Sequence, residues 1–168
     1  ETASQMRVIK SSNLIDEVLN SLSLDVAYFI VGRLKVSEVY RHMPFLVESD
    51  ERSSAFSGMK FDLHIIDQNS FNLSYEVNGV SSSNSYDFGE LILDDGLHLK
   101  VNKQKNLNDV SVETLKQIDY MFKVFKKGDL IRKYKSQLEV QNLDYTSIVE
   151  ITLKDEISER AVEILDTL

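Results

Sequence analysis

The chain has 168 residues, 42% of them hydrophobic and 27% charged, the composition of a globular protein and not of a disordered tail. It contains no cysteine, which excludes disulfides, thiolate metal sites and a cysteine nucleophile and leads us to expect an intracellular (cytoplasmic or nuclear) protein. A formal charge of −8 argues against general affinity for nucleic acid or an anionic membrane surface. No apolar run approaches the roughly 18–20 residues of a membrane span, so no membrane partner is expected. Residues 1–168 fit a single domain, and because the first residue is Glu1 rather than Met we expect a fragment or subunit of something larger.

In chain order, the first periodic segment is Asn13–Leu22. Leu14, Ile15, Val18, Leu19 and Leu22 share one face of a predicted helix, with Ser12 or Asn13 as its cap. Val26–Val31 is short, β-branched and aromatic, and reads as a buried strand. Leu34–Val47 is ambiguous, because Pro44 blocks a continuous helix. Ser49–Gly58 reads as a polar loop.

Phe61, Leu63 and Ile65 alternate with polar residues, as do Phe71, Leu73, Tyr75 and Val77, and period two predicts strands with one packed face. Asn78-Gly79 is expected to open a loop through Ser85. Phe88–Leu93 and Leu97–Val101 flank Asp94-Asp95-Gly96, a hairpin signal. Together these give an antiparallel meander.

Val112, Leu115, Ile118, Phe122 and Phe125 fall at helical spacing after a cap at Ser111 or Asp109, and Gly128 is the expected stop. Asp129 then caps a second helix that turns Leu130, Ile131, Tyr134 and Leu138 inward. Ile148–Leu153 reads as a strand, and a closing helix aligns Ile157, Ala161, Ile164, Leu165 and Leu168. The whole predicts a two-layer α+β fold, with an antiparallel meander of about four to six strands and helices packed on one face.

Six dispersed glycines form neither a phosphate-binding loop nor a dinucleotide fingerprint, and no zinc-hydrolase or nucleophile-elbow motif is present, so no cofactor is expected. Three constellations remain. Asp94, Asp95 and His98 with Lys100 could hold a divalent ion beside an activated water, as a hydrolase or nuclease would, although Asp-Asp-Gly is ordinary turn chemistry. Asp62 and His64 share a strand face, possible company for Asn72, Ser74 or Glu76, and begin a general-base arrangement; alternation alone also produces such a pair.

The third is basic. Residues 100–136 carry 10 Lys and Arg against 4 Asp and Glu, while the rest of the chain is acidic. Lys116, Lys123, Lys126, Lys127, Arg132, Lys133 and Lys135 would flank the apolar stripe of a helical pair over 112–138, with Lys116, Lys123 and Lys127 within about 40° of one another. That stripe suits an acidic protein partner first and nucleic acid second, and a solvated face paired with the chain's own acids is the plainer reading. On these grounds we expect a non-catalytic protein-interaction domain or assembly subunit.

Overall fold

A computed structural model of the protein describes residues 2–144 and 146–168. In chain order the first elements are α1 (Thr2–Ile9), α2 (Ser12–Ser21), β1 (Val26–Val31), β2 (Val36–Val39), β3 (Phe45–Ser49), β4 (Lys60–Ile65), β5 (Ser70–Val77) and β6 (Val80–Asp87). There follow β7 (Leu91–Ile92), β8 (Leu99–Lys103), α3 (Val112–Leu115), β9 (Asp119–Val124), α4 (Lys127–Gln137), β10 (Leu138–Asn142), β11 (Val149–Leu153) and α5 (Ser158–Thr167). Helices and antiparallel sheets make this an α+β protein, as the sequence predicts. Among the described residues no helix is long and apolar enough to cross a membrane.

The chain forms two compact units, Val26–Phe125 and, from its two ends, Glu1–Asp25 with Lys126–Leu168. The first is built on a six-stranded antiparallel sheet of order β2-β1-β9-β4-β5-β6. Alternation buries Phe61, Leu63 and Ile65 of β4 and Phe71, Leu73 and Tyr75 of β5 on one face, as expected. Within this unit that face packs on a second sheet of order β3-β8-β7, whose Phe45, Val47, Leu99, Val101 and Ile92 join the same core. Phe45 sits at the junction, edge-on to Tyr28 at 5.9 Å and to Tyr120 at 5.5 Å between ring centres. The Val47 N–H ties the two sheets by donating to the Tyr28 hydroxyl at 2.8 Å.

Several predicted elements are corrected. The helix expected over Val112–Phe125 ends after one turn. Ser111 caps it as expected, accepting the Thr114 N–H at 3.3 Å, but Asp119–Val124 is a central strand. Ile118, Phe122 and Phe125 fit a helical period, yet Tyr120, Phe122 and Val124 also fit period two. Pairing with β1 on one side and β4 on the other buries this aromatic and β-branched run, and that tertiary gain overrides local periodicity. Gly128 consequently lies in the first turn of α4 instead of ending a helix.

The serine-rich stretch expected as a loop is strand β6. Asn78 and Gly79 both take positive φ (52° and 79°), the two-residue hairpin turn that pairs Val77 with Val80. The Asp94–Gly96 hairpin is present, but β7 and β8 belong to the second sheet and do not continue the meander. The polar loop after Ser49 contains a 3₁₀ segment, Glu51–Phe56, that buries Ser53 and Phe56.

In the other unit, Ser11 rather than Ser12 or Asn13 caps α2, accepting the Leu14 N–H at 3.2 Å. Ile15, Val18 and Leu19 of α2 surround a cavity of about 10 Å³ with Tyr134 of α4, Leu138 and Ile164, and Leu130 of α4 is buried as well. The predicted strand near Ile148 is β11, paired with β10, which the sequence reading missed. In the same unit Arg160 and Asp155 form an ion pair with two hydrogen bonds of 2.7 Å, their side chains 8% and 2% exposed.

Candidate functional site

The face of the six-stranded sheet opposite the core is polar from β9 to β6. Register places His64 beside Asn72, Asp62 beside Ser74, and Ser74 beside Ser83. Ser74 Oγ and Ser83 Oγ each donate to Asn72 Oδ1, at 3.0 and 3.1 Å, and lie 2.9 Å from each other. An open concavity of about 260 Å³ is lined by Val31, Asp62, Leu63, His64, Asn72, Ser74, Asp119 and Tyr120.

The predicted Asp62–His64 pair therefore exists as neighbours on one face, but the carboxylate nearest the imidazole is Asp119, with Nδ1 to Oδ1 at 3.7 Å. That separation is too long for a hydrogen bond, and both side chains are at least half exposed, so the imidazole is not held as an oriented base would be. Burial raises the Asp62 pKa, with Asp119 adding to the rise and Lys60 opposing it. Ser74, the serine of this lining, is committed to Asn72 and Ser83. Glu76 is exposed farther along β5, opposite Ser81.

The structure separates the Asp94–His98 constellation. Asp94 accepts the Tyr86 hydroxyl, whose pKa burial and this bond push up to about 12. His98 turns to Asp50, with Nδ1 at 2.9 Å from Oδ2, and its backbone N–H and C=O are both bound by Ser53 Oγ, at 2.8 and 2.9 Å. Arg52 also binds Asp50 and, chiefly by that hydrogen bond, holds its carboxyl below the usual range. Asp95 is in the turn, and Lys100 pairs in register with Glu48 and Leu91 on β8. Among the described residues no group of three or more His, Asp or Glu side chains is placed to hold a metal ion.

The seven basic residues do not share a helical pair. Lys116 follows α3, Lys123 lies on β9, Lys126 precedes α4, and Lys127, Arg132, Lys133 and Lys135 are in α4. The 40° grouping of Lys116, Lys123 and Lys127 is thus lost. Lys127 Nζ lies 2.6 Å from Asp16, Arg132 lies 3.6 Å from Asp129, and Lys123 and Lys133 sit over the rings of Phe29 and Tyr134 at 5.6 and 5.4 Å.

The feature that sequence reading missed is the edge formed by β6. It is one of the two outermost strands of the six-stranded sheet, exposed along most of its length, and carries neither charge nor proline from Val80 to Tyr86. Edge strands in soluble proteins are usually guarded by lysines, prolines, bulges or covering segments. The hairpin turn and the Phe88 N–H, which donates to the Asn69 carbonyl at 2.8 Å, fix which backbone groups face inward. Val80, Ser82, Asn84 and Tyr86 bond to β5, so Ser81, Ser83 and Ser85 turn their N–H and C=O groups away from the sheet. The Asp87 N–H also points outward but donates to Glu90 Oε2 at 2.9 Å, which closes that end. The available signal was Asn78-Gly79 directly after an alternating strand.

The chain matches no protein-family model and no curated protein.

Proposed function

We propose that this protein is a non-catalytic interaction domain, or an assembly subunit, that receives a strand from a protein partner along β6. The open edge carries the reading: outward N–H and C=O groups at Ser81, Ser83 and Ser85 offer a ready ladder for an added strand. The serine and asparagine hydroxyl and amide groups beside it give the partner's side chains polar contacts. The basic residues support the reading less, since Lys123, Lys127, Arg132 and Lys133 already meet Phe29, Asp16, Asp129 and Tyr134.

The test compares proteins retained from native extract by the wild type, by Ser83→Pro, and by a Lys123→Glu/Lys127→Glu double variant. Proline at Ser83 removes an outward N–H and leaves the β5 ladder intact. Loss of the partner with Ser83→Pro alone is expected. Loss only with the lysine variant, and then only at low salt, would move the docking surface to the basic residues; retention by both would end the edge reading.

A further inference from the structure

We infer that the strand received by β6 is β6 of a second copy, joined antiparallel about a two-fold axis through Ser83. This rests on the docking reading above and names the occupant.

The edge is self-complementary. Its outward backbone groups belong to Ser81, Ser83 and Ser85, spaced symmetrically about Ser83, and Glu90 removes the Asp87 N–H that would extend them on one side only. An antiparallel two-fold pairing centred on Ser83 sets Ser83 against its own copy and Ser81 against Ser85, so each outward N–H meets a carbonyl. The same register brings Val80, which is 71% exposed, against Tyr86 of the second copy, and does so twice. These are non-hydrogen-bonded positions, where facing side chains approach most closely. A shift by two residues toward Asp87 would call on the occupied N–H and lose the Val80–Tyr86 contact.

Charge fits as well. No charged residue of β6 faces another, since the strand is neutral from Val80 to Tyr86 and Asp87 falls beyond the paired segment, against Gly79. Each copy carries −8 overall, so long-range repulsion opposes association and salt relieves it. A single strand pair is small beside the roughly 1,200–2,000 Å² of a standard stable interface, which makes the dimer weak and concentration-dependent.

The absence of cysteine makes the register testable. A Ser83→Cys variant places two thiols on backbones about 5.5 Å apart, within disulfide range, whereas Ser85→Cys places them roughly 14–15 Å apart. Purified full chain is followed by sedimentation equilibrium from about 10 μM to 1 mM, a range that spans weak association constants. Mass rising toward a dimer, tighter in added NaCl, weakened at least about tenfold by Ser83→Pro or Ser83→Lys, with mild oxidation cross-linking Ser83→Cys and not Ser85→Cys, is expected. Circular dichroism of each variant checks that the fold is kept, and Ser83→Lys stands in if Ser83→Pro is not folded. A monomer throughout, a dimer indifferent to both substitutions, or equal cross-linking at both positions overturns self-pairing. A monomer that still loses an extract partner with Ser83→Pro overturns self-pairing alone and leaves the docking reading intact.

Discussion

Phe61 and Phe122 stack across the β4–β9 register, their ring centres 5.1 Å apart and their planes 11° from parallel. Both are fully buried, and Phe122 is also edge-on to Phe45 of the second sheet at 6.4 Å. Truncating Phe122 therefore removes contacts in both sheets at once. Phe122→Ala is expected to cost about 3–5 kcal/mol, and Phe122→Leu clearly less. Urea unfolding followed by tyrosine fluorescence or circular dichroism measures the difference.

Ser53 is 2% exposed and its hydroxyl serves both the N–H and the C=O of His98. Ser53→Ala leaves two backbone groups without that partner, at an expected cost of about 1–3 kcal/mol. Amide exchange at His98 should accelerate in step. An unchanged exchange rate would show that the hydroxyl is dispensable.

The Asp155–Arg160 pair gives a pH dependence. Burial disfavours the Asp155 carboxylate, but the Arg160 guanidinium and the Ile157 N–H together outweigh it and hold the pKa below its ordinary 3.8. A lowered folded pKa means the stabilisation is complete above 3.8 and is lost as pH falls through the folded value. Asp155→Asn takes a carboxylate charge from beside the buried Arg160 and should destabilise by up to about 3–5 kcal/mol near neutrality. In urea titrations at successive pH values the gap between wild type and variant should narrow only below the carboxylate range.

Gly79 has φ near 79°, and a methyl group there would touch nothing within 4 Å. Any cost of Gly79→Ala is consequently a backbone cost, about 1–2 kcal/mol for forcing an L-residue into the left-handed region. Because the turn sets the register of β6, amide exchange at Ser82 and Asn84 should quicken before that of β4. Uniform protection would detach the turn from the edge strand.

What the sequence made legible was alternation and punctuation. β4 and β5 follow from Phe61-x-Leu63-x-Ile65 and Phe71-x-Leu73-x-Tyr75, and the shared face of Asp62 and His64 follows with them. Their partners did not, because Asp119 meets His64, and Asp50 meets His98, only through strands and turns brought together from distant parts of the chain. Strand β6 escaped because it is exposed on both faces for much of its length, and between Val80 and Tyr86 no apolar residue marks its period. Strand β9 escaped for another reason: Tyr120, Met121 and Phe122 are buried in succession, so with Ile118 and Phe125 on either side its apolar residues satisfy a helical spacing as readily as a strand's.

The place of β9 between β1 and β4 also orders events during synthesis. Strands β1, β2, β4, β5 and β6 all precede β9 in the chain, so the gap between β1 and β4 has no strand to fill it until Asp119–Val124 has been made. Until Val124 has cleared the exit tunnel, neither inner edge can meet its native partner, and unpaired strand edges of that kind favour misassembly.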